Sequence, residues 1–478
     1  MRGKKSPAPR REPRATFGAA VVTMALLAGV MILAILRYGC SPHIPMLIGC
    51  AGASLVALAC GFSWKEIEDG MIQGITHALS SVILLILIGV LIGVWIQAGV
   101  VPSLVYYGLR LITPRFFLLT SMALCALVSL ALGSWGTIGT IGLALMGVAG
   151  AMEIPLPVAA GAIISGAYLG DKVSPFSDTC NLASAVTGVD IFDNVSRNLQ
   201  IPLTAISLAG VGFLLLGFRY GGGQGSLEGI LVLQEELART FRIGIPMLLP
   251  ILLLVGCILF RVPSIPSIAI GIFAAFLQGM AAQGSDLGEL LTAGMSGFQG
   301  TGGVCPMVDS LLMAGGLESM LNSVSMILCA MMFGGVMEAT GQIDALMRPL
   351  LRRVRSFGGL VAATIASCVA VNLALPEQYI SIVLPGGLFK GEYDRHGVSR
   401  RDLAFTLGAG GSGTSALVPW NTCGVFILGV LGVSASEYLP FALYNLLLPL
   451  LALVWAFLPG RRGRFHSVND AAARENAA

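Results

Sequence analysis

The sequence predicts an all-α polytopic membrane protein built from two inverted repeats. Each repeat is read as about five transmembrane helices plus a re-entrant hairpin and a broken helix. Three observations carry this reading. Of 478 residues, 55% are hydrophobic and only 11% charged, whereas soluble domains run near 25% charged. The 62 glycines suit close helix packing and interrupted helices in a bilayer. Two polar, Pro-broken segments recur at matching places in the two halves: G-D-K-V-S-P-F-S-D-T-C-N (Gly170 to Asn181) and V-P-W-N-T-C-G (Val418 to Gly424). Paired interruptions of this kind are the best sequence pointer to a transporter's binding site.

Residues 1–16 form a basic, Pro-rich tail. The apolar run from Phe17 to Leu36 is about 20 residues, long enough to span the hydrocarbon. No small-residue cleavage site follows it, so it reads as a retained first helix rather than a signal peptide. The first repeat, 17–217, then takes spans at 17–38, 44–62 and 77–100 and a long apolar stretch at 116–151. That stretch is interrupted by G-S-W-G-T-I-G-T (Gly133 to Thr140). A polar, Gly-rich break at mid-depth reads as a hairpin tip shielded by protein. The broken segment 157–187 and a span at 200–217 complete the repeat. A hydrophilic linker loop at 218–242 divides the chain.

The second repeat, 243–459, follows the same order, with spans near 243–260, 264–282 and 318–340. A second hairpin at 357–389 is broken at N-L-A-L-P-E-Q, a second broken segment covers 403–433, and the last span is 437–459. A cytoplasmic tail, 460–478, ends the chain. Spacing supports an old duplication: 80 positions separate Gly99 from Thr179, and 81 separate Gly341 from Thr422. An odd number of crossings per half makes the halves inverted. Basic residues test the orientation. The predicted inner segments hold Arg348, Arg352, Arg353, Arg355, Lys390, Arg395, Arg400, Arg401, Arg461, Arg462 and Arg464. The outer loops hold few, namely Arg110, Arg115, Arg219, Arg239 and Arg242. The positive-inside rule then puts both termini in the cytoplasm, in a cytoplasmic (inner) membrane.

A cation or proton site in lipid needs oxygen ligands, one or two carboxylates, and carbonyls freed by an unwound helix. In the first half Asp171, Ser174, Ser177, Asp178, Thr179 and Asn181 supply these, with Pro175 as the break. The second half offers Ser412, Thr414, Ser415, Asn421 and Thr422 around Pro419. Asp178 aligns with neutral Asn421, leaving one titratable carboxylate at the crossing. Asp171 and Asp178 are therefore the expected ligands of a transported cation, which the resemblance given below implies is Na+, and proton and cation compete there on electrostatic grounds. Blander readings stand beside these. Asp171 with Lys172 fits a static ion pair. Ser134 and Thr137 at the first hairpin tip fit helix-end satisfaction. Glu377 fits a cytoplasm-facing gate as well as a ligand, and Trp135 and Trp420 fit packing. Glu338 fits a relay or a snorkelling surface acid.

Of the 10 cysteines none forms a C-x-x-C, and most lie in apolar runs, where they read as small buried hydrophobes. The four histidines are too scattered for a zinc site. No cofactor is expected. A membrane enzyme using Cys180 or Cys423 has no neighbouring histidine in sequence, and a channel would need rings of repeated charge.

The motifs I-G-V-L-I-G-V-W (Ile88 to Trp95), S-W-G-T-I-G-T-I-G (Ser134 to Gly142), S-G-A-Y-L-G-D-K-V-S-P-F-S-D-T-C-N-L-A (Ser165 to Ala183), F-G-G-V-M-E (Phe333 to Glu338), Q-Y-I-S-I-V-L-P-G (Gln378 to Gly386) and V-P-W-N-T-C-G carry a resemblance. The chain resembles the NhaC-type sodium/proton antiporter family over nearly all its length after the tail. The resemblance implies an ion-transporter fold with inverted repeats. It also implies exchange of Na+ for H+ or, as in some relatives, of malate for lactate with cation coupling. Family members often carry an acidic pair where this chain has Gly408 and Ala409, and an Asp where it has Glu377. These departures point toward an organic anion or other small metabolite as an alternative solute. The expected partners are thus a small cation and a proton, or a small organic solute, and the lipid bilayer. No nucleic acid is expected, and a homodimer stays open.

Overall fold

A computed structural model describes residues 15–458, apart from short gaps at 39–40, 112, 175–176, 198, 221–225, 261, 302–307, 310–311, 314, 353, 355 and 376. Most of both basic tails, Pro175, Pro376 and Cys305 lie outside the described residues. Among the described residues every regular element is a helix. In chain order they are α1 (Phe17–Ile32), α2 (His43–Ala59), α3 (Trp64–Gln97), α4 (Val100–Leu111), α5 (Phe117–Thr137), α6 (Leu143–Ala151), α7 (Leu156–Val173) and α8 (Asp178–Thr187). They continue with α9 (Ile191–Arg197), α10 (Gln200–Tyr220), α11 (Ser226–Thr240), α12 (Leu249–Leu259), α13 (Ser264–Gln278) and α14 (Leu287–Ser296). The remainder are α15 (Leu317–Ala339), α16 (Gln342–Arg352), α17 (Phe357–Ala374), α18 (Ile380–Arg395), α19 (Arg400–Gly410), the single turn α20 (Ser412–Ser415), α21 (Thr422–Leu431), the turn α22 (Ala435–Tyr438) and α23 (Leu443–Phe457). Among the described residues six helices are long and apolar enough to cross a membrane, or up to eight if each of two sharply bent pairs is one span. This is an all-α polytopic membrane protein.

One expectation changes. The stretch read as a linker loop at 218–242 contains helix α11, which buries Leu233 and Leu237. It meets the following segment at an 82° bend.

Packing divides the chain into two compact units, residues 1–78 with 328–353 and residues 79–327 with 354–478. In the first unit α1 packs on α2 and α16, and Thr23 Oγ1 donates to Gln342 Oε1 at 2.6 Å. Here α3 and α15 cross through glycine. A Cβ at Gly74 would strike the Met331 carbonyl, and one at Gly335 the Gly70 carbonyl. His77 Nδ1 lies 3.9 Å from Glu338 Oε2, both side chains 38% exposed.

The second unit is centred on α5 against α7. Gly166 and Gly170 of α7 lie directly on the Met122 and Ser129 carbonyls, leaving no room for a Cβ. Small residues four apart are what let two helix backbones approach so closely in lipid. Gly170 N also donates to Ser129 Oγ at 3.1 Å. Elsewhere in this unit Gly89 and Gly93 of α3 receive the turn before α15, where Gly316 N donates to Gly89 O at 2.7 Å.

Candidate functional site

Four interruptions shape the interior of the second unit. In α5 the chain kinks at Gly133, whose φ of 67° and ψ of −179° belong to a region essentially restricted to glycine. After α7, Ser174 and Ser177 are extended before α8 begins. Between α17 and α18 Leu375 leaves helical geometry. Between α19 and α21, Gly411 and the stretch to Asn421 break the helix around α20. Each break frees backbone groups that must find partners where water is scarce. The polar side chains of the sequence motifs supply many of them.

The first kink and the first broken helix meet at Asp171, which is 3% exposed. Its Oδ2 accepts from Ser134 Oγ at 2.7 Å, and its Oδ1 accepts from Ser134 N at 3.3 Å and Ser177 Oγ at 3.2 Å. The Asp171 carbonyl, freed by the break, accepts from Thr179 Oγ1 at 3.3 Å and Cys180 Sγ at 3.1 Å. Ser177 and Thr179 hydroxyls are 3.0 Å apart. Charge-assisted bonds to serine hydroxyl and backbone amide are how a carboxylate survives burial. Ser174 Oγ serves the Leu130 carbonyl at 2.6 Å, and Thr137 Oγ1 serves the Gly133 carbonyl at 2.8 Å. Both hydroxyls are thus engaged in closing the kinks. Asn181 donates to the Ser177 carbonyl at 2.9 Å. Asp178, the first residue of α8, is exposed and accepts no hydrogen bond among the described residues.

The second break is organised by a residue the sequence reading passed over. Asn372 of α17 donates to the Gly411 carbonyl at 2.8 Å and to Thr414 Oγ1 at 3.1 Å, and its Oδ1 accepts from Asn421 Nδ2 at 3.1 Å. Asn421 in turn caps α21, accepting from Cys423 N at 3.1 Å and Thr422 Oγ1 at 3.4 Å. The available signal was an amide inside the apolar run that ends in N-L-A-L-P-E-Q. Ser412 and Ser415 bond back to the Gly408 and Ser412 carbonyls, and Trp420 Nε1 donates to the Leu373 carbonyl at 3.0 Å.

Glu377 is 1% exposed. Its Oε2 accepts from the backbone amides of Tyr379 at 2.6 Å and Ile380 at 3.2 Å, at the start of α18. Its Oε1 is buried with no hydrogen-bond partner among the described residues. Several contacts join the halves of this interior. Trp135 stacks on Phe426 of α21 with centroids 4.4 Å apart and planes 9° off parallel. Tyr168 of α7 lies beside the Cys423 thiol, which also donates to Gln378 Oε1 at 3.2 Å.

The structure therefore gathers Asp171, Ser134, Ser177 and Thr179 in one hydrogen-bonded group, and Thr414, Asn421 and Thr422 in another around Asn372. Among the described residues no group of three or more His, Cys, Asp or Glu is placed to hold a metal ion. A transported cation here would draw on hydroxyls, amides and carbonyls as well as carboxylate. Lys172 makes no ion pair with Asp171 among the described residues. Its ammonium instead rests against Gly408 of α19.

The model of the Na+/H+ antiporter family matches residues 14–179 and 166–458. The chain is 34% identical over 453 residues to the Na(+)/H(+) antiporter NhaC of Alkalihalophilus pseudofirmus, covering 94% of this chain and 96% of the relative. It is 36% identical to the malate-2H(+)/Na(+)-lactate antiporter of Bacillus subtilis, covering 86% and 87%. It is 34% identical to the arginine/ornithine antiporter ArcD of Halobacterium salinarum, covering 93% of each.

Proposed function

The chain belongs to the Na+/H+ antiporter family, and from that premise we propose that it is a secondary antiporter exchanging Na+ for H+ across the cytoplasmic membrane by alternating access. Asp171 and Asp178 take the titratable role. Ser134, Ser174, Ser177, Thr179 and Asn181 line the first break; Thr137 closes its kink. Thr414, Asn421 and Thr422 shape the second, and Glu377 stands at its entrance. The single observation that carries the reading is Asp171, buried where the Gly133 kink meets the break between α7 and α8 and held by Ser134 and Ser177. A buried carboxylate held by neutral donors takes either a proton or a cation, so binding a cation and releasing a proton become linked. The two polar breaks, each braced by a neighbouring interruption, agree with two inverted repeats meeting at mid-membrane, 17–217 and 243–459. The arginine distribution agrees with cytoplasmic termini.

A second reading keeps the same scaffold and exchanges a small organic solute with cation or proton coupling. It is favoured by the Lys172 ammonium beside Gly408, and by relatives named for malate, lactate, arginine and ornithine exchange.

Everted membrane vesicles carrying the full chain, with a pH-gradient dye, test the first reading. Adding Na+ dequenches the dye in wild type and fails to do so in Asp178→Asn and in Asp171→Asn. Undiminished dequenching in both variants at equal expression overturns the assignment of the two acids.

A further inference from the structure

Helix α8 carries Asp178 at its start and is held by charge at its far end. It follows the extended residues Ser174 and Ser177, and Ser177 gives its first turn no side-chain cap. The helix closes at Gly188, whose φ is 73°. There Gly188 N donates to the Ser184 carbonyl at 2.8 Å and Val189 N to the same oxygen at 3.0 Å. The Val186 carbonyl is one of the orphans that a helix C-terminus leaves, and Lys390 Nζ of α18 donates to it at 3.1 Å. A cation in that place also meets the negative end of the helix dipole. Past the turn, Asp193 of α9 is ion-paired with Arg401 of α19, the side chains 45% and 32% exposed. Arg400 is gripped by both Asp394 oxygens at 2.8 and 2.7 Å. A Cβ built at Gly188 would lie 3.7 Å from Arg400 Nη1 and 3.6 Å from Lys390 Nζ. Three cations from α18 and α19 thus surround the chain between Val186 and Asp193.

Beside these charges α8 packs by apolar contact. A Cβ at Gly386 of α18 would overlap Val186 Cγ1 and lie 3.0 Å from Leu407 Cδ1 of α19. Such packing is enough to hold a static helix. Partly exposed ion pairs add little to stability, and their charges rehydrate when they part, so they suit a joint that opens and closes. The start of α8 follows a break where the chain leaves helical geometry, and hinges are built from a few residues of that kind. Its ten residues span about 15 Å, so a modest rotation at the break moves the far end by several ångströms. We propose that the Asp193–Arg401 pair and the Lys390 bond to the Val186 carbonyl form a latch that holds α8 shut against α18 and α19. Its release swings α8 from the 174–177 break and uncovers Asp171 and Cys180 from the latched end. The latch rests on the antiport reading, in which the site opens to one face at a time, and names the contacts that keep this face closed.

Purified full-length protein in lipid nanodiscs, where both faces meet the reagent, is treated with a hydrophilic maleimide. The labelling rate of each cysteine is read by mass spectrometry. Cys180, 5% exposed and bonded to the Asp171 carbonyl, reports the latch. Cys125, buried in α5, is the internal control for unfolding. Labelling of Cys180 speeds up about 2- to 5-fold in each of Asp193→Asn, Arg401→Gln and Lys390→Met, the change that loss of a partly exposed ion pair implies. It speeds up further in Asp193→Asn combined with Lys390→Met. Arg401→Lys, which keeps the charge, stays near the wild-type rate. A wild-type rate in the double variant overturns the proposal. So does a rise shared equally by Cys125, or a rate in Arg401→Lys as fast as in Arg401→Gln. Na+-driven proton movement in wild-type vesicles separates the latch from the antiport reading. If it is present while Cys180 ignores the variants, the latch is wrong and antiport stands. If it is absent while Cys180 responds as expected, the latch stands and Na+/H+ exchange falls.

Discussion

Replacing Gly170 by alanine tests the geometry that presents Asp171. A Cβ built at this position overlaps the Ser129 carbonyl oxygen and comes within 2.5 Å of its carbon and 2.7 Å of Ser129 Oγ. Comfortable heavy-atom separations are about 3.5–4.0 Å, so α5 and α7 must part by about 1 Å along their tightest line. The obstacle is backbone, which cannot swing aside as a side chain can. The bond from Gly170 N to Ser129 Oγ is strained by the same displacement. Overpacking of this kind costs about 1–3 kcal/mol; weakening the hydrogen bond adds about 0.5–1.5 kcal/mol. The shift also pulls Asp171 away from Ser134. We expect Gly170→Ala to lower the melting temperature in detergent and to abolish Na+-dependent dye dequenching. Gly387→Ala is the control, because nothing lies within 4 Å of a Cβ there. Alanine in that helix is neutral or gains up to about 1 kcal/mol. If Gly170→Ala melts with Gly387→Ala and keeps full transport, the close approach of α5 and α7 is not what positions Asp171.

Glu377→Gln keeps an oxygen for the Tyr379 and Ile380 amides, so α18 still starts correctly, but it removes the charge on the unpartnered side; folding is retained and Na+-driven proton movement falls at least tenfold, and an unchanged rate in vesicles would exclude Glu377 from coupling. Asp394, at the end of α18, is held below the usual carboxylate range by its hydrogen bonds from Arg400, at 2.8 and 2.7 Å. A depressed folded value means that the pair stabilises the fold above the unfolded carboxylate value of about 3.9 and is lost as pH falls through the folded one. Asp394→Asn should therefore be slightly less stable than wild type at pH 7, with the gap closing as the pH falls below the ordinary carboxylate range in thermal melts. A gap constant with pH would show that the pair contributes nothing through charge.

Much of this was legible because the bilayer makes exceptions conspicuous. Aspartates, a lysine and prolines inside apolar runs marked both broken helices, and G-S-W-G-T marked the kink that the structure places at Gly133. Composition spoke against Ser226–Thr240 as a helix. Its Gln234, Glu235 and Glu236 outvoted the four-residue spacing of Leu233 and Leu237, the two positions that are buried. Asn372 escaped because an uncharged amide scarcely disturbs an apolar pattern, and its importance lies in bonds to Gly411, Thr414 and Asn421, some forty to fifty positions away. The pairing of Asp171 with Ser134 was equally invisible, since nothing local links two residues 37 positions apart. Lys172 looked like the natural partner of its neighbour. Successive positions on a helix do not face each other, and the lysine turns instead to Gly408.

The glycine crossing of α3 and α15 in the first unit has a mechanical corollary. With Gly70, Gly74 and Gly335 face to face, the two rods touch main chain to main chain, without the compliant cushion that side chains provide. Neither can ratchet along the other by a helical turn without driving a bulkier residue into a notch cut for hydrogen. In any transport stroke these segments travel as a single strut, and a bulky residue at any of the three positions acts as a wedge whose effect is felt along both rods at once.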